Sequence, residues 1–417
     1  MVTSLEVHSH KLSSVVPGAV TGDEVIHELT NMDLAMKLHY LRTVYFFKAN
    51  EVIEGLGIFK LKEPLFLMLN VFYPVAGRIR RTDSGRPFIR CNDSGVRIIE
   101  AQCDKTINEF LEIEHSSVDG QFAADKVLGP DLGFSPLVYI QLTRFKCGGM
   151  AVGLSWAHIL GDAISATNSI NMWGQFLTKN KSPTDQNIPK IQPKRINNLS
   201  TKLTSATPNT LIKQVPPVED HWVCPTNHHQ MATFSFQISS PSLSSFESLS
   251  ALIWKCLAKI RQGREPHLVT VCRSIPAEKK TGLVLSNDQF ITSVHCESSL
   301  SKIDVSELAQ LIAEARVDKK KEIEELIDSE SGEPSFIFYG ANLTFVDLEN
   351  VEFYGLEIKG QKPVHVSFKI DGVGDEGLVL VLPAGDGEGK KVTAILPEDD
   401  ILKLREVLEI EWNVVVW

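Results

Sequence analysis

The chain has 417 residues, 43% of them hydrophobic and 23% charged, which is ordinary globular usage. That balance excludes a collagen, a coiled coil and wholesale disorder. With 42 Lys and Arg against 52 Asp and Glu the formal charge is −10, so a general nucleic-acid binder is excluded too.

At roughly 150 residues per domain, the length predicts two or three domains. The opening MVTSLEVHSHKLSSVV has no basic flank before an apolar core, and predicts no signal peptide. On that reading the sequons at Asn92, Asn198 and Asn342 are unmodified. No apolar run approaches the roughly 18 residues of a membrane span. The densest stretch, Leu65–Ala76, is interrupted by Asn70 and Pro74. Cysteines stand at 91, 103, 147, 224, 256, 272 and 296, with no CxxC pair and an odd total. This predicts buried, reduced thiols rather than a disulfide framework.

In chain order, Met32–Phe47 begins with helical spacing and ends in a β-branched and aromatic strand. Glu63–Phe72 reads as a helix closed by Pro74. Leu137–Phe145 alternates as a strand, and Met150–Ala157 is an apolar, buried one. Gly161–Leu177 returns to helical spacing. Residues 181–222 hold six prolines among polar residues and predict a long crossover between an N-terminal lobe, 1–180, and a C-terminal lobe, 223–417. Beyond it, Ala232–Ile238 reads as a strand. Ser245–Arg261 reads as a helix started by Ser244 or Ser245 and stopped at Gly263. Val305–Asp328 reads as one long helix whose Lys319–Lys321 suit ion pairs with Glu322, Glu324 and Glu325 on a solvated face. Strands follow at Val364–Ile370, Gly377–Pro383 and Val392–Leu396, then a closing helix at Glu398–Ile410.

Three patterns imitate known sites. Gly372–Gly377 fits GxGxxG, but an apolar strand follows where a dinucleotide site needs a helix N-terminus. Gly385–Lys391 contains Gly-Lys, yet has Lys391 where a P-loop needs Ser or Thr; it reads as a hairpin loop. His221, Cys224, His228 and His229 do not have zinc spacing and predict no metal site.

One motif can carry chemistry. Ser155-Trp156-Ala157-His158-Ile159-Leu160-Gly161-Asp162 lies at a strand-to-helix junction. An imidazole at a strand end can be aimed into a cleft and take a proton near neutrality. Asp162 can support the loop at the start of the helix. The alternative is that both residues serve folding alone.

The stretch from Thr143 through Asp162, Tyr73–Arg80 and Ser245–Cys256 together resemble the plant BAHD acyltransferases, in family order and across nearly the whole chain. The resemblance implies an α/β fold of two lobes, related to chloramphenicol acetyltransferase, with a channel between them. It implies that His158 is the general base for attack of an acceptor hydroxyl or amine on an acyl-CoA, with no permanent cofactor and no metal. Asp162 would point away and pair with Arg273. The family's second signature, DFGWG before Lys-Pro, is absent: Lys362-Pro363 follow Glu357-Ile358-Lys359-Gly360-Gln361. Ala163 replaces a common glycine and Val271 a common aspartate.

Leu12–Pro17, Leu29–Tyr40, Asn342–Val346 and Asp371–Gly377 are similar to the eceriferum/Glossy wax branch of the family. That likeness implies an accessory protein of very-long-chain fatty acid elongation, peripheral on the cytosolic face of the endoplasmic reticulum. Its implied partners are an elongase condensing enzyme and a long acyl chain or acyl-CoA, and its implied state is a monomer. The competing readings are a working acyl-CoA-dependent O- or N-acyltransferase and a binding protein without a lipid role.

Overall fold

The computed structural model describes residues 7–22, 24–111, 121–179, 211–225, 227–238, 245–274, 285–300, 302–329, 335–385, 387 and 389–412. Residues 181–210 of the expected crossover, Asn198 and Ser244 lie outside them.

The strands are β1 (Val7–Val15), β2 (Ile26–Glu28), β3 (Tyr40–Phe47), β4 (Arg78–Arg81), β5 (Pro87–Arg90), β6 (Val96–Cys103), β7 (Val138–Phe145), β8 (Met150–Ala157) and β9 (Lys213–Val215). They continue with β10 (Met231–Ile238), β11 (Leu268–Ser274), β12 (Gln289–His295), β13 (Ser335–Ile337), β14 (Leu343–Asp347), β15 (His365–Asp371), β16 (Leu378–Pro383) and β17 (Lys390–Pro397). The α-helices are α1 (Asn31–Ala35), α2 (Glu51–Glu54), α3 (Ile58–Val71), α4 (Ile107–Leu111), α5 (Ala163–Lys179), α6 (Phe246–Ile260), α7 (Val305–Glu314), α8 (Lys320–Ser329) and α9 (Glu398–Trp412).

Two six-stranded sheets organise the chain, in the orders β1-β6-β7-β8-β3-β15 and β10-β17-β16-β14-β11-β12. Strands β3 and β8 are buried at every position, Arg42, Thr43 and Ser155 included, because both of their faces are covered. One face of the first sheet carries α3 and α5. The other carries a cluster of Phe46, Phe110, Phe122 and Phe145, with ring centroids 4.5–6.4 Å apart. Gly153 makes that second layer possible. A Cβ there would lie 1.9 Å from the Phe122 carbonyl oxygen, so only glycine lets residues 121–124 lie flat on β8. In the second sheet, α6, α7 and α9 cover one face. The opposite face, including Cys272, Ile291, Val346, Leu378 and Leu380, joins the core of the first sheet, so one apolar core runs across both lobes.

Three expectations are revised. The lobes are not contiguous in sequence: β15, from the C-terminal half, pairs antiparallel with β3 over seven residues and completes the N-terminal sheet. The reason is that β3 is buried on both faces and its free edge would leave backbone groups unpaired. The long helix expected over Val305–Asp328 is two helices. Ala315 is extended, and Asp318 Oδ1 accepts from the Ile291 and Lys320 amides while Lys319 N donates to Ile291 O, which fastens the break to β12. Helix α3 starts at Ile58, before the expected Glu63, and carries Pro64 inside it. Gly372–Gly377 is the loop that carries the chain from β15 to β16, and Gly385–Lys391 lies in the β16–β17 hairpin. No helix among the described residues is long and apolar enough to cross a membrane, and all seven cysteines are free.

Candidate active site at the lobe interface

Strand β8 ends at Ala157, and a single 3-10 turn, His158–Leu160, leads into α5. Gly161 closes that turn at φ +152°, and a Cβ there would meet Ser165 Oγ at 2.7 Å and the Ser286 amide at 2.9 Å. Glycine is the residue that adopts this backbone at no cost. Asp162 follows and caps α5, with Oδ1 accepting from the Ser165 amide at 3.0 Å. Its own amide donates to Ser286 O at 3.0 Å, and Trp156 Nε1 donates to Gly161 O at 3.1 Å. The motif is therefore built by a strand end, a helix cap and a segment from the other lobe.

That segment is Ser286–Gln289. Asn287 Nδ2 donates both to His158 O at 2.8 Å and to Asp33 Oδ1 at 3.0 Å. Asp33 in turn completes a capping box with Thr30 at the start of α1. The imidazole Nε2 of His158 is bonded to Tyr339 Oη at 3.2 Å, and the Tyr339 hydroxyl donates to Gln289 Oε1 at 3.2 Å. His39 stands beside both, with ring centroids 6.4 Å from His158 and 4.9 Å from Tyr339. Its Nε2 accepts from the Phe338 and Tyr339 amides at 3.1 and 3.4 Å. Sequence reading singled out none of Asn287, Gln289, Tyr339 or His39 as site residues. They are polar residues brought together only by the meeting of the lobes, and no local spacing marks them.

Burial sets the electrostatics. His158 is 1% exposed, and burial pulls its pKa below the ordinary histidine value, against the raising effects of its own carbonyl, Asp162, Asn287 and Asp33. His39 is pushed down to about 3, first by burial and then by the neighbouring His158. Both rings are neutral near pH 7. Burial pushes the Tyr339 phenol well above the ordinary tyrosine value, so it remains a hydroxyl.

Arg273 does not meet Asp162. Its Nη2 donates to Glu247 Oε1 at 3.2 Å and to Ile312 O at 3.0 Å, and its guanidinium lies 5.5 Å from the Phe246 ring centre. The two-residue period of β11 explains this. Val269 and Val271 face α6, Cys272 faces the shared core, and Arg273 falls on the α6 side. Val271, where an aspartate is common in the family, is a fully buried core residue. The segment in place of the second signature forms a tight turn, with Lys359 and Gly360 at positive φ between reciprocally bonded Ile358 and Gln361. It packs on the N-terminal lobe, where Asn50 Nδ2 donates to Gln361 Oε1 at 3.2 Å.

The structure has a cleft of about 510 Å³ between the lobes, lined among others by Tyr40, Arg42, His229, Lys369 and Asp371. His158 is not among its lining residues. Where the sequence predicts an open channel at this histidine, the space beside Nε2 is filled by the Tyr339 phenol. The geometry can hold a neutral imidazole against one hydroxyl in an apolar setting. The distance is one a general base can use, but the phenol gives its single proton to Gln289 Oε1, so in this contact Nε2 is the donor and the hydroxyl the acceptor.

Two mixed sheets joined by a swapped strand, meeting on a His-x-x-x-Asp turn, define the acyltransferase-type α/β fold. Vinorine synthase has it, with a TM-score of 0.70 at 17% identity over 99% of both chains. So does F. sporotrichioides TRI101 complexed with coenzyme A and T-2, with a TM-score of 0.68 at 15% identity over 94% of this chain and 98% of that one. Residues 5–410 match the model of the Transferase family, and the chain belongs to that family, the BAHD acyltransferases. Among curated relatives it is 40% identical to Protein ECERIFERUM 26-like of Arabidopsis thaliana, over 96% of this chain and 94% of that protein. It is 38% identical to Protein ECERIFERUM 2 of the same plant, over 96% and 97%.

Proposed function

We propose that this protein is an accessory factor of very-long-chain fatty acid elongation for cuticular wax. It acts with an elongase condensing enzyme on the cytosolic face of the endoplasmic reticulum and extends the acyl chain. The observation that carries this reading is the closed His158: a role that needs no acyl transfer needs no open base. The loss of the second signature and the full-length likeness to the eceriferum proteins support it. Acyl-CoA or a long acyl chain is the ligand this reading requires, and coenzyme A is named with a protein of the same fold. With no spanning helix among the described residues, attachment is peripheral and through the partner.

The test is co-expression in yeast of a plant elongase condensing enzyme alone, with this protein, and with its His158→Ala form. The readout is the fatty-acid chain-length profile at matched protein levels. Equal lengthening by both forms is expected, and no lengthening by wild type would overturn the proposal. Lengthening by wild type alone would favour the second reading, an acyl-CoA-dependent O- or N-acyltransferase. The intact cap of α5 by Asp162 beside His158 is the observation in its favour.

A further inference from the structure

A general base must stand within about 2.6–3.2 Å of the atom whose proton it takes. At His158 Nε2 that distance is already taken by Tyr339 Oη, at 3.2 Å. The contact is built rather than incidental. The phenol donates its one proton to Gln289 Oε1 at 3.2 Å and so accepts from His158 Nε2, occupying the position beside that nitrogen, and the ring is fully buried. The Tyr339 backbone is held from two sides: His39 Nε2 accepts its amide, and its carbonyl accepts from Gly374 N at 2.9 Å. Turning the phenol away would strand a buried hydroxyl, an imidazole and an amide oxygen together, each without a partner in an apolar core.

We propose that Tyr339 is an internal stand-in for the acceptor hydroxyl, filling the position at His158 Nε2 that a substrate alcohol would occupy and so holding the site shut. The position therefore recognises a hydroxyl on an apolar or aromatic body, and the base becomes reachable only when the phenol leaves. This concerns the chemistry at His158 alone and stands whether or not an elongase is the partner.

The test uses the full-length protein and diethyl pyrocarbonate, read at each histidine by peptide mass spectrometry. The imidazole nitrogen forms a bond to a carbonyl carbon of the reagent. The carbon–oxygen bond breaks, and ethyl carbonate leaves with the ring proton, decaying to carbon dioxide and ethanol. In wild type, His158 is expected to stay unmodified while the exposed His228 and His229 react. In Tyr339→Ala, His158 is expected to react at least about tenfold faster, because the opening no longer needs the phenol to move. Added p-cresol, the free tyrosine side chain, restores protection in that variant, and toluene restores less.

Wild-type His158 reacting as fast as His228 would overturn the proposal. So would equal protection by toluene and p-cresol, which would leave packing as the whole of the effect. Should Tyr339→Ala fail to fold, Tyr339→Phe keeps the ring and removes only the oxygen. The ¹⁵N resonance of His158 Nε2, assigned with His158→Ala, is then expected to shift, and an unchanged resonance would overturn the proposal.

Discussion

At the residue scale, the least replaceable side chain near the site is His39. It is buried and neutral, and its Nε2 is the acceptor for two backbone amides. His39→Ala leaves both amides buried without that partner, and urea denaturation is expected to show a loss of about 2–5 kcal/mol. The same residue gives a pH dependence. Its folded pKa, about 3, lies below the ordinary histidine value of 6.5, so the unfolded chain binds the proton more readily between those values. Stability from His39 is present above pH 6.5 and is lost as pH falls toward 3, at up to about 1.4 kcal/mol per unit. His158, also lowered, acts in the same direction. Urea midpoints at pH 7, 6 and 5 should fall in that order, and His39→Ala should flatten the slope. The place of His158 and Asp162 between β8 and α5 is legible because a strand-to-helix junction is written in local sequence. The pairing of Arg273 with Asp162 is one the family resemblance implies, whereas the alternation along β11 decides which face each side chain takes.

Elements were read most reliably where a period was long and uninterrupted. The expected strands at Met150–Ala157 and Ala232–Ile238 correspond to β8 and β10, and the helix expected over Ser245–Arg261 to α6. The break between α7 and α8 escaped because no Pro or Gly marks it. It comes from Asp318 and Lys319 bonding to the edge of β12, a tertiary effect stronger than the helical pattern. The second layer on β8 was likewise invisible, since Gly153 is one small residue in an apolar run until Phe122 is laid against it. Gly153→Ala tests this layer. The added methyl collides with backbone, which cannot rotate aside, so a loss of about 1–3 kcal/mol is expected in thermal or urea unfolding. Limited proteolysis should open first at residues 121–128, and wild-type resistance there would contradict the packing described.

For the whole molecule, the decisive feature is the exchange of β15 between halves. Composition changes at the proline-rich crossover, which predicts two lobes in series, and nothing local announces that a later strand returns. With one apolar core across both lobes and one sheet built from both ends of the chain, the lobes should not melt separately. Calorimetry should show a single transition whose calorimetric and van't Hoff enthalpies agree. Two resolved transitions would mean that the lobes are independent.

The same strand has a consequence during synthesis. About 320 residues separate β3 from β15, so at ~5–20 residues per second the ribosome takes roughly 15 to 60 s to deliver the partner of β3. Throughout that interval the nascent chain carries a bare strand edge rich in aromatic and β-branched side chains, the kind of surface that chaperones shield and that seeds aggregation. Premature stop codons anywhere upstream of His365 should therefore yield insoluble fragments rather than a stable half-protein.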